Sequence, residues 1–274
     1  MKKLLFHVCA NDLQIEFQQK GGLVVIPKTK INSLIWMGIF VFMIAMGGCD
    51  KSSLKEEALN EQQKWALATS AIPKKANDME MGVMGGGKAS DEYVNLIREM
   101  LKEDWEITDR NSALSAISSL RDQGHRKDFD LMLKHVLQLD QQEFSQFYNS
   151  CTGQPEMKKL LAGSYKTKDI AEIGRKSIIG WDYCRLVYLA ECSYRAGYIS
   201  EEEAWKEIMP AAKVIQSTFS SWQEMSENYL LGREFWSGGS EPRMIMAKAL
   251  LLSDRQSPWL RYAWNLPLDQ TAGK

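Results

Sequence analysis

The sequence contains few residues of the kinds that build metal sites and nucleophilic catalytic groups. Only three of its 274 residues are histidine and five are cysteine. None of the cysteines stands in a CxxC or a Cys/His spacing, so we expect no metal site and no cofactor. Beyond residue 48 the only histidines are His125 and His135, and we predict that both lie at the surface. No nucleophile–base set is recognisable in the chain.

Runs of basic residues are also missing. The formal net charge is −1, and residues 1–48 contain five lysines and two acids, so the rest of the chain carries a net charge of −4. Phosphate contacts made by lysine and arginine supply most of the affinity of a protein for nucleic acid. The charge pattern therefore excludes a nucleic-acid partner.

The spacing of the remaining cysteines limits their pairing. Cys184 and Cys192 lie eight apart in one predicted helix, which places them about 12 Å apart along its axis. Because the Cα atoms of a disulfide lie within about 7 Å, these two cannot pair with each other. At most Cys151 pairs with one of them, and we favour three buried free thiols.

Long alternating runs rich in β-branched residues are absent, and helical patterns extend over nearly everything beyond residue 52. We therefore predict an all-α fold, a single multi-helix globular domain over residues 58–270. No period of 30–45 residues repeats, which excludes a solenoid. Asp109 and Asp140 occupy N-cap positions. The predicted helices here are 91–103, 110–122, 126–139 and 141–150, with two short helices in 155–176.

A loop of residues 73–90 separates the first predicted helix, which Pro73 ends, from those that follow. It contains three consecutive glycines, residues 85–87. We predict that the loop is mobile, and that it does not cradle phosphate because no strand precedes it.

Residues 34–46, LIWMGIFVFMIAM, form an uncharged apolar run of thirteen residues. A helix that crosses a bilayer needs about 20 such residues, whereas the apolar region of a secretory signal needs about 7–15. Two lysines precede the run, and Gly-Gly-Cys at residues 47–49 follows it. This order resembles the bacterial lipoprotein signal, in which the cysteine is lipidated and becomes the mature N-terminus. Met46 departs from the leucine that is usual there.

We therefore predict a signal segment at residues 1–48, lipidation at Cys49 and a tether at residues 49–57. The domain would then lie in the periplasm or outside the cell, attached to the membrane. In the alternative, an uncleaved helix anchors a cytoplasmic-facing regulator in the inner membrane. A signal whose apolar run is preceded by some thirty residues is unusually long. In an alternative, translation starts near residues 23–25.

The most informative segment is residues 178–198, which has no wholly polar face when plotted at 100° per residue. A helix that is apolar all round is predicted to be central and buried. It nevertheless carries Asp182 and Arg185, three residues apart, and buried charges are tolerated when they are paired.

Two capping boxes are predicted after this helix. In the first, Ser200 caps and Glu203 reaches back; in the second, Ser221 caps and Glu224 reaches back. Gly232 lies inside the last of these helices, where glycine costs about 1 kcal/mol relative to alanine. We expect the compensation to be close approach of a neighbouring helix or aromatic ring.

Several segments, taken in order, resemble the bacterial family catalogued as domain of unknown function 1266. The resemblance covers roughly residues 60–265 and implies a mostly helical domain, without an activity or ligand. Its segments are WALATSAI at 65–72, GWDYCR at 180–185, GYISEEEAW at 197–205, SSW at 220–222 and YLLGREFW at 229–236.

A catalytic hypothesis starts from Asp182, Arg185 and Arg233, since a carboxylate with arginines suits acid–base chemistry or an anionic ligand. Glu203 and Glu224 are explained by capping alone. Arg233 could pair with Asp182 across helices or face a cleft.

The leading hypothesis is a non-catalytic, membrane-tethered domain that binds a protein or a small molecule, and the alternative is a hydrolase-like enzyme using that cluster. An enzyme predicts a concave pocket with an exposed carboxylate. A binding module predicts the cluster buried and paired, with an exposed apolar patch elsewhere.

Overall fold

The computed structural model describes residues 13–17, 23–27, 59–87, 89–162 and 174–268. The apolar run 34–46, Cys49 and the predicted tether 49–57 lie outside these ranges. What the sequence predicts about them stays a prediction.

A hairpin precedes the helical domain. Strands β1 (Leu13–Phe17) and β2 (Leu23–Pro27) pair antiparallel, with Leu13 opposite Pro27 and Phe17 opposite Leu23. The sequence analysis assigned no strand, so the hairpin is a correction. Residues 13–17, LQIEF, alternate apolar and polar side chains and could have indicated a strand, whereas residues 23–27, LVVIP, show no alternation.

From residue 59 onward the described chain forms helices joined by turns, and the predicted all-α class is confirmed. Asp109 and Asp140 cap their helices as predicted, each accepting backbone N–H bonds in a capping box. The helices are α1 (Glu61–Ala68), α2 (Ala71–Ala76), α3 (Asp91–Trp105), α4 (Arg110–Asp122), α5 (Arg126–Val136), α6 (Gln141–Ser150), α7 (Pro155–Ala162), α8 (Ile179–Arg195), α9 (Glu201–Thr218), α10 (Trp222–Ser237), α11 (Pro242–Ser253) and α12 (Pro258–Arg261).

Helix α8 is the centre of the domain, as predicted. Thirteen of its seventeen residues are buried, so little of its surface is left to face water. Helices α9, α10, α4 and α3 pack around it, and α1 and α2 also contact it. Side chains of α8 therefore reach most of the other elements, and its polar residues are in a position to connect them.

Two glycines allow α8 and α10 to approach closely. A Cβ atom on Gly180 would lie 2.9 Å from the Met225 carbonyl oxygen, against the backbone of α10. A Cβ atom on Gly232 would lie 2.2 Å from the Cβ atom of Trp181. The close approach expected at Gly232 is confirmed, and the neighbour is an aromatic residue of α8.

Four tryptophans join the two ends of the domain. Trp222 stacks on Trp259 with ring centroids 5.7 Å apart and meets Trp65 at 4.7 Å and Trp264 at 4.8 Å. Each indole N–H donates to a backbone carbonyl, at Ala263 for Trp65, Tyr262 for Trp222, Ala68 for Trp259 and Phe219 for Trp264. Because buried indole N–H groups need a partner, this arrangement ties α1 to the chain that follows α12.

The glycine loop is attached to α8 and its surroundings. The Gly85 N–H donates to Glu191 Oε2 at 3.2 Å, and the Tyr93 hydroxyl donates to the Gly85 carbonyl at 2.9 Å. Arg195 donates to the Met84 carbonyl at 2.6 Å. The sequence predicted a mobile loop, and this is corrected: the glycines let the backbone lie against α8, where its polar groups find partners.

Pro73 does not end a helix, as the sequence suggested, but lies in the first turn of α2, where proline is tolerated. Cys151, Cys184 and Cys192 are free and buried, which confirms the favoured prediction for them. Among the helices of the described ranges, none combines the length and apolar character needed to cross a bilayer.

Candidate functional site

Asp182 is fully buried and bonds to the start of α5. Its Oδ1 atom accepts the backbone N–H of His125 at 3.0 Å, and its Oδ2 atom accepts that of Arg126 at 3.0 Å. Arg185 and Arg126 each donate from a guanidinium nitrogen at 3.2 Å, the first to Oδ1 and the second to Oδ2. A carboxylate from α8 thus caps a helix distant in sequence and is neutralised by two arginines.

Gly124 makes room for this carboxylate. It adopts a φ of +56°, a conformation that favours glycine. A Cβ atom there would lie 2.0 Å from Asp182 Oδ2. The turn between α4 and α5 is therefore shaped around the side chain that caps α5.

The Arg185 guanidinium lies between aromatic rings and Asp182. Its central carbon is 4.1 Å from the Trp181 ring centroid and 5.4 Å from that of Trp105. Burial lowers the pKa of Arg185, while the Asp182 carboxylate acts in the opposite direction. The predicted Asp182–Arg185 pair is present, with Arg126 as an additional partner.

His125 is half-buried, and the prediction that it lies free at the surface is wrong. Its ring packs against both Trp181 and Trp236, with centroids 6.3 Å and 6.4 Å away, and the two tryptophan rings also meet each other at 6.0 Å. The Trp181 indole N–H donates to His125 Nδ1 at 3.0 Å, which leaves the ring proton on Nε2. Burial, and the nearby Arg185 charge, lower the pKa of His125, so the neutral ring that accepts this bond is favoured. The other predicted surface histidine, His135, is also half-buried.

Arg233 takes a different carboxylate as its partner. Its Nη2 atom lies 3.5 Å from Glu241 Oε2, and its guanidinium stacks on Trp236 at 4.8 Å from the ring centroid. Asp182 accepts its hydrogen bonds from His125 and Arg126, at the start of α5, and from Arg185, and not from Arg233. The three residues of the predicted cluster thus form two separate ion pairs.

The capping box predicted at Ser200 and Glu203 is present, and the one predicted at Ser221 and Glu224 is incomplete. Glu203 accepts the Ser200 N–H at 2.8 Å, Ser200 Oγ accepts the Glu203 N–H at 3.2 Å, and Arg110 donates to Glu203 Oε1. These bonds, chiefly that from the Ser200 N–H, lower the pKa of Glu203. Both residues therefore act in a complete capping box.

At the start of α10 only one of the two hydrogen bonds of a capping box is formed. Ser221 Oγ accepts the Glu224 N–H at 3.1 Å, but the Glu224 carboxylate bonds to the Ser220 N–H at 2.8 Å, one residue earlier than in a capping box. Partial burial raises the pKa of Glu224, but bonds from Lys176 and Ser220 outweigh it, and the pKa is lowered overall.

An ion pair between Glu191 and Lys74 escaped the sequence analysis. Both side chains are 1% exposed, and Lys74 Nζ lies 2.6 Å from Glu191 Oε2. The Ser70 hydroxyl donates to Glu191 Oε1 at 2.5 Å, and Gly85 N–H completes the set. Glu191 lies on the same buried helix as Asp182, and a charged residue on a buried helix is expected to be paired. The sequence therefore indicates that Glu191 has a partner. Nothing in the sequence marks Lys74 as its partner.

Glu234 is a second carboxylate that escaped notice. It is 2% exposed on α10, and its Oε2 atom accepts the backbone N–H groups of Glu156 at 2.9 Å and Met157 at 3.0 Å. Burial raises its pKa to about 7, against the lowering effect of those two bonds. Like Asp182, this acid caps the first turn of a helix, here α7, that belongs to another part of the chain.

Glu234 predicts a pH dependence of stability. A carboxyl whose pKa is raised on folding stabilises the fold below its unfolded pKa, and this contribution is lost as pH rises through the folded pKa. We expect Glu234→Gln, which keeps the accepting oxygen, to match the wild type near pH 4.5. At pH 8 it should be more stable by on the order of 2 kcal/mol, measured by urea unfolding across this range.

The control is Glu227→Gln on the same helix. Partial burial raises the pKa of Glu227, but the bond from Gln223 and the charges of Lys248 and Lys159 outweigh it and lower the pKa overall. This control should lose stability relative to the wild type as pH rises. A difference between Glu234→Gln and the wild type that does not change with pH would contradict the assignment.

Within the described ranges, no group of three or more histidine, cysteine, aspartate or glutamate side chains is arranged to hold a metal ion. A small cavity of about 60 Å³ lies away from Asp182, between α1 and α12. Its lining includes Leu67, Met81, Pro258 and Tyr262. The groups around Asp182 are buried ion pairs packed against aromatic rings, and the Nε atom of Arg185 is buried there without a hydrogen-bond partner among the described residues.

The model of a family described as a protein of unknown function (DUF1266) matches residues 100–264. The chain belongs to this family. The match contains α8, α9 and α10 together with Asp182, Glu191 and Glu234. Gly180 and Gly232 allow α8 and α10 to pack closely. They lie in the segments GWDYCR and YLLGREFW, two of those that resemble this family.

Two relatives of this DUF1266 protein come from Escherichia coli (strain K12). The uncharacterized protein YbeR is 22% identical over 152 residues, which cover 55% of this chain and 63% of YbeR. The uncharacterized protein YbeU is 24% identical over 208 residues, which cover 71% of this chain and 80% of YbeU. The chain thus spans less than two thirds of the length of YbeR. No solved structure matches the chain.

Proposed function

We propose that this DUF1266 protein is a non-catalytic binding domain tethered to a bacterial membrane. The observation that carries the binding role is the state of Asp182. It is fully buried, and each of its carboxylate oxygens accepts two hydrogen bonds. An acid that protonates or deprotonates a substrate has to reach it, and Asp182 has no free position from which to do so.

The alternative hydrolase needs Asp182, Arg185 and Arg233 in one open pocket. Arg185 is instead bound to a buried carboxylate, and Arg233 pairs with Glu241. Exposed apolar side chains are present elsewhere, on α11, as a binding module predicts. The balance of these observations favours binding over catalysis.

The tether is supported by the sequence of residues 34–49. The apolar run has the length of a signal, and Cys49 follows it directly after two glycines. We propose that Cys49 is lipidated and that the domain lies in the periplasm or outside the cell. The alternative is a cytoplasmic-facing regulator held by residues 34–46 as an uncleaved anchor.

Mass spectrometry of the membrane-bound protein tests the tether. We expect the wild-type chain to begin at an acylated Cys49, and Cys49→Ser to retain residues 1–48 without an acyl group. A wild-type chain that retains residues 1–48 and stays in membranes would support the anchor instead. Recovery of the wild type in the soluble fraction of lysed cells would refute both forms of tethering.

The binding role is tested by affinity capture from solubilised membranes. The wild-type chain should retain one reproducible protein or small molecule, and Asp182→Asn, if it remains folded, should retain the same one. Turnover of a generic ester, phosphate or glycoside substrate that disappears in Asp182→Asn would contradict the non-catalytic assignment.

A further inference from the structure

Helix α11 exposes an apolar face. Ile245 is 41% exposed, Met246 64% and Leu250 42%, and these three residues lie within six positions of one helix. Ala247 and Leu251, on the other side of the helix, are buried in the domain. Single exposed apolar residues are ordinary, but a group on one helix face indicates a contact surface.

Basic residues outnumber acids in the chain from α11 to residue 268. Helix α11 itself contains Arg243 and Lys248 and no acid, and residues 242–268 carry four basic residues against one acid. This gives the segment a net charge of +3 in a chain whose formal net charge is −1. Lys248 is mostly buried and pairs with Glu227, and Glu241 stands directly before α11, so the exposed Arg243, which donates to Asn77, is the basic residue of α11 beside this face.

The face also lies beside the part of the domain that the tether enters. Helix α11 packs against α2, and α12 packs against α1, which begins two residues after Leu59. Nine residues lie between Cys49 and Leu59, and the ten steps from one to the other span at most about 36 Å when extended. A lipid on Cys49 would hold Leu59, two residues before α1, within that distance of the bilayer.

We propose that α11 lies on an anionic phospholipid surface, with Ile245, Met246 and Leu250 inserted at the boundary between headgroups and acyl chains. The inference rests on the proposed tether and adds a second contact to it. Apolar residues on one helix face with basic residues beside them are typical of helices that lie in the membrane interface. Each basic residue near such a surface adds attraction to anionic headgroups. A single lipid chain binds a protein to a membrane only marginally. Insertion of the apolar face of α11 would strengthen the attachment of the domain to the membrane.

Fluorescence of a label at position 246 tests the inference in the lipidated chain. The lipidated protein, which begins at an acylated Cys49, carries Met246→Cys, an environment-sensitive dye is attached there, and the protein is reconstituted into phosphatidylethanolamine/phosphatidylglycerol vesicles. The native thiols within the domain are buried and should not react. A dye at Leu137→Cys, a position that is 47% exposed outside α11, is the matched control.

We expect nitroxide lipids to quench the dye at position 246 several-fold more than the dye at position 137. Adding Ile245→Glu and Leu250→Glu, both at exposed positions, should remove this difference while the protein still floats with the vesicles. Equal quenching at the two positions in floating protein would refute the inference and leave the tether intact.

Two further outcomes would also overturn the inference. A dye at position 246 shielded from both nitroxide lipids and aqueous iodide would show that a protein, such as a second copy, covers α11. Protein that does not float with vesicles at all would refute the tether and the lipid contact together.

Discussion

Replacing Asp182 by asparagine is expected to lower the free energy of unfolding by about 3–5 kcal/mol, the range for breaking a buried ion pair. The substitution keeps the shape of the side chain but removes the charge that neutralises Arg126 and Arg185. Both guanidinium groups are mostly buried, so water replaces the lost partner poorly. The two Asp182 oxygens accept the backbone N–H groups of His125 and Arg126. In asparagine one of these oxygens is replaced by an NH₂ group, which cannot accept a hydrogen bond.

Urea unfolding of the detergent-solubilised chain, followed by tryptophan fluorescence, measures this change. The matched control is Asp122→Asn, since Asp122 pairs with Arg121 at the surface with its side chain 63% exposed. Exposed pairs contribute little, and the control should leave the unfolding midpoint nearly unchanged. Unchanged stability in Asp182→Asn together with a lost cellular phenotype would mean that the structural role assigned to Asp182 is wrong.

The second large effect is expected at the Lys74–Glu191 pair. Glu191→Gln leaves a fully buried lysine without a counter-charge, and a loss of about 3–5 kcal/mol is expected. Lys74→Met should cost a similar amount, because the Glu191 carboxylate then keeps only Ser70 and Gly85 as partners. The double variant should be more stable than the sum of the single losses implies, by on the order of 1–3 kcal/mol.

A double-mutant cycle by urea unfolding measures this coupling. Lys159→Met is the control, because Lys159 also lies near carboxylates but its side chain is 65% exposed. We expect this control to change stability little. Strict additivity of the Lys74 and Glu191 effects would show that the two side chains do not act as a pair.

Local chemistry was sufficient for several predictions. The caps at Asp109 and Asp140 were predicted because each acid stands directly before a helical pattern, and the cap at Ser200 because Glu203 completes a capping box. The burial of α8 was predicted because a helix apolar on every side has no face for water. Gly232 was expected to have a close neighbour because glycine inside a helix requires compensation. Each inference uses residues within a few turns of one another.

The pairing of buried charges could not be predicted in the same way. Lys74 and Glu191 are 117 residues apart, Asp182 and Arg126 are 56 apart, and Glu234 and Glu156 are 78 apart. Whether a carboxylate meets a lysine, an arginine or the start of another helix depends on how the helices pack around α8. His125 shows the same dependence, since only packing places its ring against Trp181 and Trp236.

The sequence by itself determined the all-α class, the central helix, the caps and the family resemblance, because these follow from the order of residues along single helices. Only the tertiary structure decided which distant groups the buried carboxylates bind. It bonds Asp182 to the start of α5, Glu234 to the start of α7 and Glu191 to Lys74. The physical reason is that a buried charge needs a partner in space, and its partner comes from a distant part of the chain.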